Sequence, residues 1–588
     1  MKALKPLSLF IIHYSLFFSV ALIVACSDWD EHFDAERQVV ASQKVSLWEN
    51  IESRSNLSQF ADILRKTGYD KRLAASQTYT VWAPENETFD YEGVLSFSKE
   101  RMVKEFVENH IARNNYPASG EIDSEVYMLN EKKMHFGGKS TYDIQGVSLK
   151  GLNLSSSNGT LHTLNGRMPF LSSIYEALGN LDYAIDSIKD YVLSYDEKII
   201  NESKSKVGPV VNGEQTYLDT IYYEHNDLLM LYDAYINRED SSYTMVIPTN
   251  QAWSKALEKV KGYCNYIPSF KAVESIENKK NETVILKDAE AMKDSVAKAY
   301  TIASLFYNNN LFDNKKLKTL AEGTKPTCDS LVTTSGSKMY AYDAANLFDN
   351  AKREEMSNGA AWITDSIRIP SWTIWNPELR FEAEHSNQWV FYNYLNGAPL
   401  VREVQKQNEE VYGHVSNNCY IELEPQNGSV NPDIYFYLPN VRSTTYNIYI
   451  VMVPANINSK HYAGELKPNL MTFIVGYADD EKGSLKQQTF KNIEVRVDSL
   501  GDEPGMTDYT SRLDTVLVGE FTFPVSYLGL SSVARNYAPY LRVRSAVSNA
   551  EAAKYDRTLR IDCIILRPKE LDDYITEHPD YKYDKGRY

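Results

Sequence analysis

In the first part of the chain, apolar positions recur at helical spacing and then switch to alternation. Leu47, Trp48, Ile51, Phe60, Ile63 and Leu64 fall mostly on one helical face between Gln38 and Gly68, with Ser and Asn breaks that predict two short helices. The stretch Thr78 to Phe89 (Thr-Tyr-Thr-Val-Trp-Ala-Pro-Glu-Asn-Glu-Thr-Phe) follows as an apolar strand running into a turn and a new helix. Pro84 has no amide donor, so an interior strand stops at Ala83, and Asn86 is a good residue to cap the helix beyond. From Met128 to Leu164 the runs are short, alternating and punctuated by Gly, which predicts strands and hairpins. A first domain closes near Ser172.

The cycle then repeats. Ile174 to Ile200 and Tyr217 to Asn237 carry helical spacing, and Ser242 to Trp253 (Ser-Tyr-Thr-Met-Val-Ile-Pro-Thr-Asn-Gln-Ala-Trp) has the earlier order of aromatic, Thr, apolar run, Pro, Asn and aromatic. Pro248 and Asn250 therefore stand where the first copy has Pro84 and Asn86. Beyond Pro370 the helical period fades. Ile434 to Leu438, Tyr446 to Val453 and Leu541 to Arg544 are dense in β-branched and aromatic residues or alternate, and short strands with turns between them predict an antiparallel sandwich ending near Arg567. Pro568 to Tyr588 is charged and Tyr-rich, with little periodicity, and reads as a strap or a frayed end.

The Pro-Asn stretch resembles the first signature of the fasciclin (FAS1) domain, through Thr80, Val81, Trp82, Ala83, Pro84, Asn86 and Phe89. Asn158-Gly159-Thr160-Leu161-His162-Thr163-Leu164 is similar to the second signature, and Phe106 to Tyr116, with His110, resembles the helical element between the two. The second copy offers Asn358-Gly359-Ala360-Ala361-Trp362-Ile363 and Leu305 to Phe312, without either His. Its signatures also stand farther apart, so added loops or helices are expected, around Asn278 to Asp288. The strands Leu379 to Glu384 and Leu559 to Leu566 resemble the two ends of a galactose-binding-like jelly roll, as in carbohydrate-binding modules, while the region lacks the Gly-rich loop usual after the first strand. The resemblances imply two α+β fasciclin-like domains (45–173 and 174–370), an all-β sandwich of the jelly-roll, galactose-binding-like kind (371–567) and a tail (568–588).

The N-terminus adds an address. Lys2 and Lys5 precede a mostly apolar run that ends Ile23-Val24-Ala25-Cys26, which reads as a secretory leader (1–25) and resembles a bacterial lipobox, with Cys26 as the lipidated residue. The acidic tether (26–44) opens Ser27-Asp28-Trp29-Asp30-Glu31, similar to export tags of surface lipoproteins, so the outer face of an outer membrane is expected. The formal net charge of −17 opposes nucleic acid as a partner. In the second repeat Cys264 and Cys328, and in the last third Cys419 and Cys563, are either disulfides or reduced thiols.

No metalloprotease His pair, phosphate loop, nucleophile elbow or dinucleotide loop occurs, so no enzyme and no catalytic residue are expected. His110, His162, Asn86 and Asn158 are read mainly as structural. Trp389, Tyr392 and Tyr394 are candidates for stacking on sugar rings. In the calcium-bearing modules that the sandwich resembles, acids of the first and last strands converge, and Glu382, Glu384 and Asp562 occupy the matching positions. They either hold calcium, a hard cation that takes carboxylate oxygens, or pair with Arg380 and Arg560. No other cofactor is expected. The expected function is adhesion or glycan capture outside the cell, with a glycan or extracellular protein as ligand. The alternative is a scaffold of an outer-membrane glycan-uptake complex.

Overall fold

The computed structural model describes residues 45–200, 202, 205–211, 213–219, 222–271, 283–285, 288–311, 330–406, 412–455, 457, 467–479, 484–495, 513–530 and 539–583. Cys26 with its leader and most of the tether, Cys328, and most of the segment from Asn278 to Asp288 lie outside these residues. The chain forms two compact units. One runs to Tyr175 and takes in Asn237–Asp240 and Met356–Asn358, and the other holds the rest. Among the described residues no helix is long and apolar enough to cross a membrane.

The first unit is built on a seven-stranded sheet in the order Ile111–Arg113, Tyr79–Pro84, Gly159–Leu164, Val147–Ser156, Tyr142–Ile144, Lys133–Gly138, Ile122–Tyr127. Its one parallel pair sets Tyr79 opposite Gly159 and Pro84 opposite Leu164. Both strands of that pair are buried along their whole length. Tyr79, Val81, Ala83 and Leu161 pack with Leu47, Ile51, Phe60 and Ile63 of the helices, while Trp82 and Leu164 join Met134 and Phe136 in a separate cluster. A strand covered on both sides needs apolar residues throughout, which is the run read in the sequence.

Two asparagines hold this frame. Asn158 accepts from Leu47 N (2.7 Å) and donates to Leu73 O (2.8 Å) and Ala75 O (2.6 Å), so it ties the sheet to the start of one helix and the end of another. Asn86 does not cap the helix that follows it. That helix begins only at Tyr91 and is capped by Asp90. Asn86 Oδ1 accepts instead from Gln59 N (3.0 Å), in the first turn of Ser58–Thr67, and its amide donates to Ser55 O (2.8 Å). The residue at that helix's own N-cap is Leu57, which has no side-chain acceptor, so the cap comes from a distant part of the chain. The segment read as a helix from Phe106 ends at His110, and Ile111–Arg113 is the strand that pairs with Tyr79–Val81.

In the second unit the same register recurs: Tyr243–Pro248 runs parallel to Gly359–Thr364, with Tyr243 opposite Gly359 and Pro248 opposite Thr364. Asn250 Oδ1 accepts from Ser187 N (2.8 Å) at the start of Asp186–Leu193, whose N-cap position is Ile185 and again lacks a side-chain acceptor. The helix Asn250–Gly262 is capped by Thr249. The expectation of helix from Ile174 to Ile200 and Tyr217 to Asn237 holds at Ile174–Asn180, Asp186–Leu193 and Asp227–Leu231 and is corrected in between. Asp196–Ile200 pairs with Tyr222–Asn226, and Lys206–Val211 with Glu214–Asp219, as two-stranded ribbons.

Beyond Pro370 lie two antiparallel sheets. One has the order Leu400–Glu403, Cys419–Leu423, Leu559–Pro568, Thr445–Met452, Asp514–Thr522, with Leu379–Glu382 also on Leu559–Pro568. The other has the order Trp389–Asn393, Asp433–Tyr437, Tyr540–Ser545, Asn469–Ala478, Leu485–Val495. Their shared core includes Phe381, Ile448, Leu566, Phe436, Phe473 and Val543, and it runs without a break into Val260, Cys264 and Tyr266. The expected boundary at 370 therefore crosses a single hydrophobic core. The tail is neither featureless nor frayed at its start: Lys569–Glu577 is a helix, Tyr581 Oη donates to Asp343 (2.5 Å) and Tyr583 Oη to Glu378 (3.1 Å). Cys264, Cys419 and Cys563 are free thiols.

Gly159 (φ +147°) and Gly359 (φ +138°) are the tightest points, because a Cβ on either would stand 1.8 Å from the facing carbonyl, of Tyr79 or Tyr243. Gly159→Ala is expected to cost roughly 3 kcal/mol or more in urea unfolding. Gly68→Ala, at a positive φ with open space around it, should cost about 1–2 kcal/mol, and equal costs for the two would contradict the close-approach account. Asn86→Ala is expected to lose about 1 kcal/mol through the missing cap, and an unchanged melting curve would remove Asn86 from that role.

Candidate functional site

Two features of the second unit carry chemistry. Both stand at the end of the strand Leu379–Glu382. Leu379 and Phe381 enter the core, so alternation turns Arg380 and Glu382 the other way. That strand lies on the last strand, with Glu382 opposite Cys563. A bulge in the last strand sets Val451 opposite Cys563 and Met452 opposite Ile561, leaving Asp562 as the extra residue. Such an insertion re-aims side chains, and Glu382, Asp562 and Cys563, all buried, bring their polar atoms within 4.8 Å of one another.

Ser416 closes this cluster. Its backbone N donates to both Asp562 oxygens (3.1 and 3.3 Å) and its hydroxyl to Glu382 Oε1 (2.7 Å). Burial, aided by the charges of Glu382 and Glu384, pushes the Asp562 carboxyl up to about 8. Burial, with the charge of Glu384, also raises Glu382. Burial places the Cys563 thiol well above its ordinary range. Glu384 does not share the strand with Glu382, which ends it. It lies just beyond and accepts from Asn417 Nδ2 (3.0 Å). Of the Arg partners expected for these acids, Arg560 pairs with Glu422 instead (2.8 Å), whereas Arg380 Nη1 meets Cys563 Sγ (3.5 Å) within the cluster and its charge bears on Glu382 and Asp562.

As a cation site the donor set is mixed. The buried oxygens Glu382 Oε2 and Glu384 Oε2 have no hydrogen-bond partner and suit a hard cation together with Asp562, whereas the thiol of Cys563 does not.

The second feature is an open groove of about 1130 Å³ beside the cluster. Its wall is made by four separate segments: Lys338 and Tyr340, Arg380 with Glu382 and His385, the turn that ends in Ser416–Asn418, and Tyr581 to Tyr583 of the tail. Asn417 (φ +50°) and Asn418 (φ +53°) are both left-handed, a conformation that turns the backbone sharply. None of these residues except those near Glu382 carries a sequence signal, because their proximity exists only in the fold.

The other candidates fall elsewhere. Trp389 donates to Ala383 O (2.7 Å) and packs against the core of the two sheets. Tyr392 and Tyr394 are 40% and 46% exposed, and Tyr394 has a φ of +60°. In the first unit, His110 Nδ1 donates to Phe106 O (2.7 Å) while Nε2 accepts from Met168 N (3.0 Å). His162 donates to Tyr116 O (2.9 Å) and stacks on Trp82. Both rings are fully partnered in the core, and burial holds each down to about 4.

Residues 55–168 match the family model of the fasciclin domain, and this part of the chain is a fasciclin domain. A comparison with curated proteins returns no match. Among solved structures, the chain is similar to a FAS1 domain pair from the insect cell adhesion molecule fasciclin I, at 11% identity, covering 54% of this chain and 98% of that one, with a TM-score of 0.19. It is also similar to a Paenibacillus xanthan lyase (15% identity, 36% of this chain and 15% of that one, TM-score 0.18). A third is a carbohydrate esterase of the Shiga toxin-encoding bacteriophage phi24B (13% identity, 32% and 96%, TM-score 0.16). At such scores these likenesses carry no argument.

Two opposite pH dependences follow. Between pH 6.5 and about 4 the unfolded chain takes up protons that buried His110 and His162 refuse, so the first unit loses stability as pH falls through that window. Asp562 keeps its proton in the native state up to about pH 8. Its contribution to the second unit is therefore complete below about pH 4 and is lost as pH rises toward 8. Asp562→Asn should match wild type near pH 5 in urea unfolding and exceed it near pH 8, by on the order of 2 kcal/mol. A difference that does not change with pH would contradict a native-state proton on Asp562.

Proposed function

We propose that this chain is a cell-surface lipoprotein that binds extracellular ligands without transforming them, anchored through lipidated Cys26 on the outer face of an outer membrane. Fasciclin domains are adhesion or binding modules, and one is present at residues 55–168. We read the segment 174–370 as a second, divergent fasciclin domain, because its parallel pair and its Asn250 cap repeat the register and the cap of the first. The region beyond Pro370 is read as a jelly-roll sandwich of the carbohydrate-binding kind, whose first and last strands are neighbours.

The observation that carries glycan capture is the groove, which is wide, open and walled by Tyr340, Tyr581 and Tyr583. The hydroxyls of the last two are held by Asp343 and Glu378. Tyrosine rings fixed in this way present apolar faces at little entropic cost, as sugar-binding sites require. Tyr392 and Tyr394 offer a second exposed pair. A scaffold within an outer-membrane uptake complex is the other reading, and the unbroken core favours it, since it packs the helix Asn250–Gly262 and the two sheets around shared apolar residues. Calcium, if bound, is held by Glu382, Glu384 and Asp562, and its service is to neutralise their charge and fix the turn at Ser416.

A glycan and extracellular-protein array probed with the chain lacking its leader should report saccharide binding, reduced by Tyr340→Ala. Binding to no saccharide would leave the scaffold reading. Cys26→Ser should release the protein from the membrane fraction, and unchanged fractionation would exclude the anchor. Millimolar calcium should raise the unfolding midpoint of the second unit relative to a chelator, as any ligand of the native state must. A midpoint that stays put removes the metal.

A further inference from the structure

The groove also has a charge pattern that sets it apart from the rest of the chain. Acidic residues outnumber basic ones, 79 to 62, and the formal net charge is −17. In the second unit several basic side chains next to the core are ion-paired. Arg567 pairs with Glu378 (2.7 Å) and Asp572 (3.0 Å), Arg560 with Glu422 and Asp556, and Arg542 with Asp433. Lys338, Arg380 and Lys582 line the groove, and among the described residues none of them forms an ion pair. Lys338 Nζ lies 4.9 Å from the centre of the Tyr340 ring.

Carboxylates around the groove are already engaged, and the charge of Arg380 bears on Glu382 and Asp562. Asp343 is taken by Tyr581, and Glu378 by Arg567 and Tyr583. Glu382 also lines the groove, with one oxygen held by the Ser416 hydroxyl. Asp343 and Glu378 therefore anchor the rings, while Lys338 and Lys582 have no carboxylate partner among the described residues. These two lysines and Arg380 among fixed rings, with Asn417 and Asn418 beside them, combine charge, stacking and amide hydrogen bonding on one surface.

We propose that this groove binds an anionic saccharide, a chain of sugars bearing carboxylates, whose acid groups meet Lys338, Arg380 and Lys582 and whose rings lie against the tyrosines. The proposal rests on the glycan-capture reading above and narrows it to a ligand class. A uronate oligosaccharide supplies regularly spaced carboxylates and hydroxyls on rings with an apolar C–H face, which suits the cations, amides and tyrosines of the wall. Long polyanions such as nucleic acid are opposed by the field of the whole chain.

The test is calorimetric titration of the chain lacking its leader with uronate oligosaccharides (galacturonate, mannuronate and glucuronate series) and with their methyl esters, which keep the rings and lose the charge. The acidic probes should bind at least tenfold tighter than the esters, and added salt should weaken them. The double variant Lys338→Met, Lys582→Met keeps the apolar stems. It should reduce acidic binding about tenfold and leave ester binding and the melting temperature unchanged. Esters and acids binding equally, with the variant affecting neither, would overturn the anionic assignment while glycan capture stands. No binding by any saccharide, acidic or neutral, would overturn both. A short single-stranded DNA that binds as well as the uronates would also overturn it, by reducing the groove to a patch of charge.

Discussion

The close parallel pairing of the Pro-terminated strand with the Asn-Gly strand is the constraint on which the first unit depends. Gly159 lets the two backbones approach at Tyr79, Asn158 then sits within reach of the helix starts and ends, and the pair is roofed on both sides. The recurrence of that register at Tyr243 and Gly359 shows the arrangement is used twice in one chain. In each copy the residue at a helix N-cap is apolar, Leu57 or Ile185, and an asparagine beyond the proline supplies the acceptor. The signatures thus work as clamps between distant parts of the chain, and their histidines are core residues.

What was legible in the sequence follows from how local each cause is. The parallel pair was legible because burial on both sides demands an unbroken apolar run, and proline ends it. The partner of Asn86 was not, since Gln59 lies on an earlier helix and a good cap residue points by default to the helix just ahead. The strand Asp196–Ile200, read as helix, was not legible for a different reason: Asp196, Glu197 and Lys198 are exposed, so no buried face imposes a period of two on the sequence. The convergence of Glu382 and Asp562 was anticipated from the neighbouring end strands, but Cys563 and the displacement of Glu384 depend on a bulge that no spacing announces. Likewise the buried ion pair of Lys132 with Glu239 (2.5 Å), with Ser357 beside it, joins pieces far apart in sequence.

Functionally, the division of labour is between clamps and groove. In the sealed core of the first unit His110 and His162 are hydrogen-bonded at both ring nitrogens. Where the second unit opens, beside the turn Ser416–Asn418, cations stand without ion pairs and rings are braced from behind. The buried acids next to it link the same turn to proton or cation occupancy, since Ser416 holds both Glu382 and Asp562.

Amide hydrogen exchange, followed with and without a uronate oligosaccharide, tests this division most directly. The account predicts that Tyr79–Pro84, Gly159–Leu164, Tyr243–Pro248 and Gly359–Thr364 are among the slowest segments to exchange and are unaffected by ligand, while added protection appears at Ser416–Asn418 and Tyr581–Tyr583. Ligand-induced protection at the His110 and His162 signatures, with none at the groove, would contradict it.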